Sequence, residues 1–243
     1  MTDVEPVHSN DNGEPARRPQ LRDLRAALGL LTVLPFDRPA IPDAAAAHAT
    51  IFFPLVGGLI GLLLTASNWI ISDRLPATVS AIVLVGLWEA ISGGAALRAC
   101  GSLSVSRIGS GAGIAAVLLI KIAVLASHVM SRPAMLLFAP MLARWTMVVL
   151  AVGARDAAAP SRKLNAAITF REFALTSVFT CAVIFTVAEA FGILLVVGVA
   201  ALTLGLRLLQ HRRPGGTSWP LLLASAELVE LLVLGIVGVV GPR

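Results

Sequence analysis

Five charged residues lie inside or at the edge of long apolar runs of this sequence: Glu89, Lys121, Arg144, Glu227 and Glu230. A charge in the bilayer interior costs on the order of 2.5–3.5 kcal/mol on insertion scales, so each of the five is a candidate functional residue. Glu227 and Glu230 are three residues apart and share one face of a helix. Together, the five charged residues could form a buried polar cluster that binds phosphates or a metal ion. They could equally form ion pairs between helices, and the spacing alone favours the ion pairs.

A second candidate is the polar, glycine-rich stretch SGGAALRACGSLSVSRIG, residues 92–109, which joins two apolar runs. Its glycines suit a loop that approaches a phosphate, yet no Asp or Glu occurs anywhere between Glu89 and Asp156. The nearby GSGAG at 109–113 is not a dinucleotide motif, because no strand precedes it. Together with Gly57 and Gly61, it predicts close helix packing instead.

The composition predicts the fold class. The chain has 243 residues, of which 57% are hydrophobic and only 14% are charged, too apolar for a soluble domain. Several apolar windows of about 20 residues, the length that a helix needs to cross a bilayer, carry no more than two charges. We therefore expect an all-α, polytopic integral membrane helical bundle: a disordered cytoplasmic tail over 1–20 and a single domain over 21–243. The expected spans are 48–71, 77–97, 109–130, 134–153, 173–188, 191–209 and 219–240.

The distribution of charge predicts the orientation. Residues 21–34 read as an amphipathic helix that is too short to span and lies at the membrane interface, in contact with lipid. With the N-terminus in the cytoplasm, most of the 19 Lys and Arg residues fall on the cytoplasmic side, in the tail and in loops 94–108, 154–172 and 210–218. We expect a multi-pass protein of the cell inner membrane. The net charge of +5 does not indicate nucleic-acid binding, because no basic run alternates with aromatic residues.

Five segments in order resemble the cobalamin synthase family over about residues 21–240. They are LLTVLPF, FFPLVGGLIG, SRIGSGAGIAAVLLIKIAVL, LARWTMVVL and PGGTSWPLLLASAELVELL. The resemblance implies an integral membrane adenosylcobinamide-GDP ribazoletransferase, which joins a corrinoid to α-ribazole or its phosphate, releases GMP and requires Mg²⁺. It also implies a substrate-binding framework, whose retained positions are Gly93, Gly94, Arg107, Gly109, Lys121, Arg144, Gly215, Gly216, Glu227 and Glu230.

The sequence departs from the family where the metal would be held. The family pattern after the glycine pair is approximately H-x-D-G-x-A-D-x-x-D-G, then a charged helix, then D-S-R-x-G. Here the chain passes from Gly94 through AALRACGSLSV directly to Ser106, and Val105 stands in place of the last Asp. Near the C-terminus, Pro220 stands in place of the Asp of G-G-x-T-G-D. We therefore expect no bound metal, with Glu89 and Asp156 as weak candidate ligands.

Three functions remain open on these residues. The favoured one is a catalytically impaired homologue that serves as a membrane accessory, scaffold or binding subunit for a corrinoid or another amphiphile. Arg98 and Arg107 would then offer a face to lipid headgroups or to a protein partner on the cytoplasmic side. The second is an active ribazoletransferase whose Mg²⁺ site is rebuilt from Glu89, Asp156, Glu227 or Glu230. The third is a small-molecule transporter with Lys121 in its pathway.

Overall fold

The protein is an all-helical bundle. The computed structural model describes residues 20–36, 44–103, 110–152, 154, 168, 170–211 and 217–241. In chain order its elements are α1 (Leu21–Leu31), a 3-10 helix (Ala44–Phe52), α2 (Phe53–Ile71), α3 (Ala77–Ser92), α4 (Ala95–Leu103), α5 (Ser110–Ser127), α6 (Arg132–Ala151), α7 (Phe170–His211) and α8 (Trp219–Val240). The all-α prediction is confirmed. The predicted tail to residue 19, and Arg107, Gly109, Asp156, Gly215 and Gly216, lie outside the described residues.

The centre of the bundle is α6, which packs most closely against α2. A Cβ at Gly57 would overlap the Pro140 carbonyl oxygen, and one at Gly61 would lie 2.6 Å from the Leu137 carbonyl oxygen. Only glycine lets the two backbones approach this closely, which is the role of small residues four apart between membrane helices. The close packing predicted at Gly57 and Gly61 is therefore confirmed. The same prediction for GSGAG is wrong at Gly111, where a Cβ would meet no atom within 4 Å. Most of α6 is enclosed by the other helices: 83% of its most apolar 18-residue stretch is buried.

The helix α3 ends at Ser92, five residues before the predicted end of its span at residue 97. Gly93 and Gly94 follow with left-handed φ values of +66° and +59°, and α4 leaves at an angle of 89° to α3. The apolar residues at 95–97 suggested a continuous span, but a left-handed glycine after the last helical residue ends a helix. Val33 covers this turn, since its N–H donates to the Ile91 carbonyl at 2.9 Å.

The long helical segment α7 is interrupted at Glu189, whose φ of 48° and ψ of −132° are not helical. A Cβ on Gly192 would lie 2.8 Å from Ile184 Cγ2. Eight residues of unbroken helix would hold those positions about 12 Å apart. The chain therefore reverses direction at Glu189.

Contacts with α6 confirm the reversal. Trp145 Nε1 donates to Ser177 Oγ at 3.0 Å, in the first half of α7. The next residue, Thr146, places its Oγ1 3.3 Å from Thr203 Oγ1, in the second half. Adjacent residues of α6 thus contact both halves. Of the two sequence interpretations for this region, a tight hairpin and one broken helix, the structure has the hairpin.

All seven predicted spans coincide with helical segments, but fewer satisfy a length and composition test for crossing a membrane. Four do so: His48–Ile71, Arg132–Ala151, Phe170–His211 and Trp219–Val240. The bent pair formed by α3 and α4 makes a fifth if it is counted as one span. The helix α3 alone, with 16 residues, is short for a hydrocarbon layer of ~30 Å. The segment α7 is counted as one of the four candidate spans, although its two halves fold back on each other. The chain is a multi-pass membrane protein with a helical core.

The amphipathic segment predicted over 21–34 forms α1 but stops at Leu31. Thr32 turns to an extended conformation, and its Oγ1 donates to the Leu28 carbonyl at 2.6 Å. Asp23 closes the other end by accepting the Gln20 N–H at 2.8 Å. Arg22 and Arg25 are exposed. The C-terminal end of α1 thus lies against the bundle, and its charged face points outward.

Candidate functional site

The side chain of Lys121 lies at the centre of a cluster of three carboxylates. Helix α5 carries it into the bundle, where it is fully enclosed. Its Nζ lies 2.9 Å from Glu89 Oε1 on α3, 2.5 Å from Glu227 Oε1 and 2.7 Å from Glu230 Oε2 on α8. The spacing of Glu227 and Glu230 on one helix face brings both to the same ammonium. One lysine thus links three helices.

The indole ring of Trp88 also contacts the Lys121 ammonium. Its ring centroid is 4.6 Å from Lys121 Nζ, within the range of a cation–π contact, and the ring is fully buried. Trp88 precedes Glu89 on α3, so neighbouring residues supply the aromatic face and one carboxylate. The ammonium therefore sits in a desolvated site where three carboxylates and one aromatic face favour its positive charge.

Arg144 on α6 extends the cluster. Its Nη1 donates to Glu230, which therefore links two cations, and its Nη2 lies 3.3 Å from Ser92 Oγ at the end of α3. The side chain is 4% exposed, and its Nε has no acceptor among the described residues. The five charged residues singled out in the sequence are thus brought together as the ion pairs that their spacing favoured.

The three carboxylates could by themselves hold a metal ion, because one oxygen from each lies within 4.8 Å of the others. Mg²⁺ requires octahedral oxygen ligands at about 2.0–2.1 Å. The Lys121 ammonium is already within hydrogen-bonding distance of all three carboxylates, in the place that such an ion would take. The residues as arranged fit an internal ammonium and do not fit Mg²⁺.

A narrow cleft lies beside Arg144, between α1, the α3–α4 turn, α6 and α8. Its lining is apolar apart from Ser92 and Arg144, and comprises Leu30, Leu31, Ser92, Ala95, Ala96, Arg144, Met147, Leu223 and Ala226. The predicted site residues Gly93 and Gly94 form the turn at its edge. A Cβ on Gly94 would lie 3.3 Å from Arg98 Nη1, so this exposed guanidinium sits over the same turn.

Sequence reasoning missed the role of Arg132, which lies just before the predicted span 134–153. The residue is fully buried. Its Nε donates to the Leu125 carbonyl at 2.9 Å, its Nη1 lies 3.3 Å from Asn68 Oδ1, and its Nη2 lies 3.3 Å from the Ala77 carbonyl. Arg132 thus joins the ends of α2 and α5 to the start of α3. The polar Asn68 in an otherwise apolar run was the one side-chain signal.

Arg207, near the end of the α7 hairpin, also uses carbonyl oxygens. It donates to the Val149 carbonyl at 3.0 Å and to the Val152 carbonyl at 2.8 Å. The last carbonyls of a helix have no partner within it. A guanidinium there donates to them, and its positive charge interacts favourably with the negative end of the helix dipole. This side chain fixes the hairpin to the C-terminal end of α6.

Comparison with known proteins gives the same family as the sequence motifs. The chain matches the family Cobalamin-5-phosphate synthase over residues 23–97 and 102–238. It is 33% identical to the adenosylcobinamide-GDP ribazoletransferase of Pseudomonas paraeruginosa (strain DSM 24068 / PA7), over 89% of this chain and 98% of the relative. It is 40% identical over 77 residues to the Pseudomonas aeruginosa (strain UCBPP-PA14) protein of that name, covering 31% of each chain. No solved structure matches.

The interruption in the family match falls between Leu97 and Ser102, inside α4. This is the part of the chain in which the resemblance predicts the loss of the acidic motif. The matched ranges on either side of this interruption include all five residues of the charged cluster: Glu89, Lys121, Arg144, Glu227 and Glu230. Match and coverage together establish that this chain belongs to the cobalamin-5-phosphate synthase family.

Proposed function

We propose that this chain is a membrane-embedded binding or accessory subunit of the cobalamin synthase type that does not carry out metal-dependent ribazole transfer. The observation that carries the proposal is the position of Lys121. Glu89, Glu227 and Glu230 are the only three-acid cluster with metal-ligand spacing among the described residues, and the ammonium lies at its centre. Breaking a pyrophosphate bond calls for a cation that is held against phosphate oxygens, and here the carboxylates are already used.

The shortened segment after Gly94 supports the same proposal. The α3–α4 turn leads into a helix of nine residues, Ala95–Leu103, that contains no acid. A multi-carboxylate metal site contributes several kcal/mol to a phosphoryl or pyrophosphoryl transition state, and each 1.36 kcal/mol changes a rate about tenfold. A chain without that site would bind such substrates and leave them unchanged.

One observation favours an alternative, an active adenosylcobinamide-GDP ribazoletransferase. The 33% identity extends over 98% of the Pseudomonas paraeruginosa relative, so the helical framework matches over nearly its full length. Under this alternative, Mg²⁺ would be held by acids outside the described residues, such as Asp156, or by the triad after displacement of Lys121.

Conversion of adenosylcobinamide-GDP and α-ribazole phosphate by the purified protein, with and without Mg²⁺, separates the two. We expect no product from folded protein at high concentration, while the Pseudomonas paraeruginosa relative, purified in the same way, serves as the active control. Mg²⁺-dependent product would overturn the proposal. Glu89→Gln, Glu227→Gln and Asp156→Asn would then show which acids had been recruited.

The same proposal includes a placement and two binding partners. The excess of Lys and Arg in one set of loops supports an N-terminus in the cytoplasm of a protein of the inner membrane. A corrinoid is the ligand that the family suggests, and exposed Arg98 offers a cytoplasmic contact for a protein partner. Labelling of single cysteines at positions 98 and 74 in intact cells tests the orientation: label reaching position 98 from outside would reverse it.

A further inference from the structure

We propose that the cleft between α1, α4 and α6 is a binding site for one phosphate group of an amphiphilic ligand, with Arg144 as its principal donor. The inference rests on the proposed function in one respect, that the chain binds an amphiphilic ligand. The ligand class is a phosphate monoester or diester with an apolar part attached. Lipid and soluble sources of that phosphate are separated by the experiment below.

The guanidinium of Arg144 is the first reason. Its Nη1 is used by Glu230, but its other edge, formed by Nε and Nη2, is nearly free: Nε has no acceptor among the described residues and Nη2 has only the 3.3 Å contact with Ser92 Oγ. This edge presents two parallel N–H groups, the geometry that binds two phosphate oxygens at once. A side chain only 4% exposed with an unused donor edge calls for an acceptor.

The start of α4 is the second reason. Ala95 and Ala96 line the same cleft and are the first residues of a nine-residue helix. The first N–H groups of a helix have no partner within it, and the helix dipole favours an anion there. The Arg98 N–H donates to the Gly94 carbonyl at 3.0 Å and begins the intrahelical bonds, and the Gly93 and Gly94 N–H groups are used by the end of α3. The N–H groups left without a partner within the helix are those of Ala95, Ala96 and Leu97. Donors from α4 and α6 thus converge on one cleft.

The surrounding charges are compatible with an anion. Glu230, the acid nearest to Arg144, is shared with Lys121, which also compensates Glu89 and Glu227. Arg98 adds an exposed positive charge over the turn at Gly94. Two buried cations and one exposed cation therefore balance three carboxylates, and a phosphate would use the edge of Arg144 that Glu230 does not.

The apolar walls of the cleft indicate that the ligand has an apolar part beside its phosphate. Leu30 and Leu31 of α1, Met147 of α6 and Leu223 of α8 line the cleft around its polar floor. As it stands the cleft has room for about one water molecule, so binding of a phosphate requires the C-terminal end of α1 to move outward. A ligand with an apolar part would replace the contacts that Leu30 and Leu31 give up.

The experiment measures ligand-dependent thermal stabilisation and dissociation constants of the delipidated full chain in detergent. Three probes are compared: inorganic phosphate, dioleoyl phosphatidic acid and dioleoylglycerol, which has the same tails without phosphate. We expect phosphatidic acid to bind and dioleoylglycerol not to. Inorganic phosphate binding with comparable affinity would identify a soluble phosphate as sufficient, and its failure beside bound phosphatidic acid would identify the lipid.

The decisive variant is Arg144→Lys, which keeps a cation for Glu230 but has no planar donor edge. We expect phosphate affinity to fall about tenfold or more, because a charge-assisted bidentate contact is lost. Arg207→Lys is the matched control, since that guanidinium bonds to carbonyls outside the cleft, and it should bind as the unmodified chain does. Ser92→Ala, which leaves all charges in place, should change affinity by a few-fold and serves if Arg144→Lys does not fold.

Equal affinity in folded Arg144→Lys and Arg207→Lys, or no preference of the unmodified chain for phosphatidic acid over dioleoylglycerol, would overturn this inference. Neither result depends on turnover. Product formation with Mg²⁺ would instead overturn the proposed function and leave the phosphate site standing, so the two failures are distinguishable.

Discussion

Two regions of the bundle bury a cation completely, and they do so by different means. Lys121 lies among three carboxylates and an indole ring, whereas Arg132 lies among two backbone carbonyls and the amide oxygen of Asn68. Carboxylates compensate the charge, while carbonyls and amides only solvate it. The first arrangement builds a charged centre, and the second fixes helix ends in place. The comparison predicts that equal substitutions at the two positions have unequal effects.

The largest effect is expected for Lys121→Met. The substitution leaves Glu89, Glu227 and Glu230 facing one another without their shared cation, and two of the three, Glu227 and Glu230, are buried. Removing one partner of a buried ion pair costs about 3–5 kcal/mol. We expect a loss of unfolding free energy of that size, measured by chemical denaturation of the purified protein in detergent.

A double variant checks the cause. Glu227 contacts no described cation other than Lys121, so Lys121→Met combined with Glu227→Gln removes one charge of each sign. The double variant should be more stable than Lys121→Met alone, because contacting groups do not behave additively. Additive losses would mean that the cluster is held by packing and not by charge compensation.

A smaller effect is expected for Arg132→Met. No carboxylate is left unpaired among its described neighbours; the change strands the Leu125 and Ala77 carbonyls and Asn68 Oδ1. A buried acceptor without a partner costs about 1–3 kcal/mol. We expect a loss in that range, below that of Lys121→Met, in the same denaturation measurement. A loss larger than that of Lys121→Met would reverse the comparison between the two regions.

The smallest effect is expected for Arg207→Met. Its side chain is partly exposed, and water can take over the Val149 and Val152 carbonyls that it satisfies. A cation at a helix C-terminus contributes about 0.3–1 kcal/mol. The melting temperature should fall slightly, and proteolysis in the segment around Arg207 should become faster if the hairpin is released from α6. A loss matching that of Arg132→Met would show that exposure does not matter here.

The charged cluster could be predicted in outline from the sequence. Lys121 and Arg144 stand in apolar runs where an uncompensated charge is costly, and only three acids lie within the predicted spans. Which acid meets which cation could not be predicted, because that depends on how α3, α5, α6 and α8 pack. The close approach of α2 to α6 was predictable from Gly57 and Gly61, since only small side chains permit it.

Two features could not be predicted for a common reason: their partners are backbone atoms. Arg132 bonds mainly to carbonyl oxygens, which every residue has, so apart from Asn68 no side-chain pattern indicates its role. The early end of α3 depends on left-handed glycine dihedrals and on the cover provided by Val33, while the sequence shows only apolar residues continuing to Leu97. Hydropathy describes how apolar a run is, and it does not describe where a backbone turns.

The reversal of the chain at Glu189 has a consequence for how the sequence could evolve and how the protein inserts into the membrane. Because α7 leaves α6 and returns to it at the same end, it adds an even number of passes between its neighbours. Deleting or duplicating the hairpin, or delaying its insertion during synthesis, would leave α8 on its original side. The Glu227–Glu230 pair would then still enter the bundle from the correct face. The hairpin can thus vary independently of the topology of the segments that carry the charged centre.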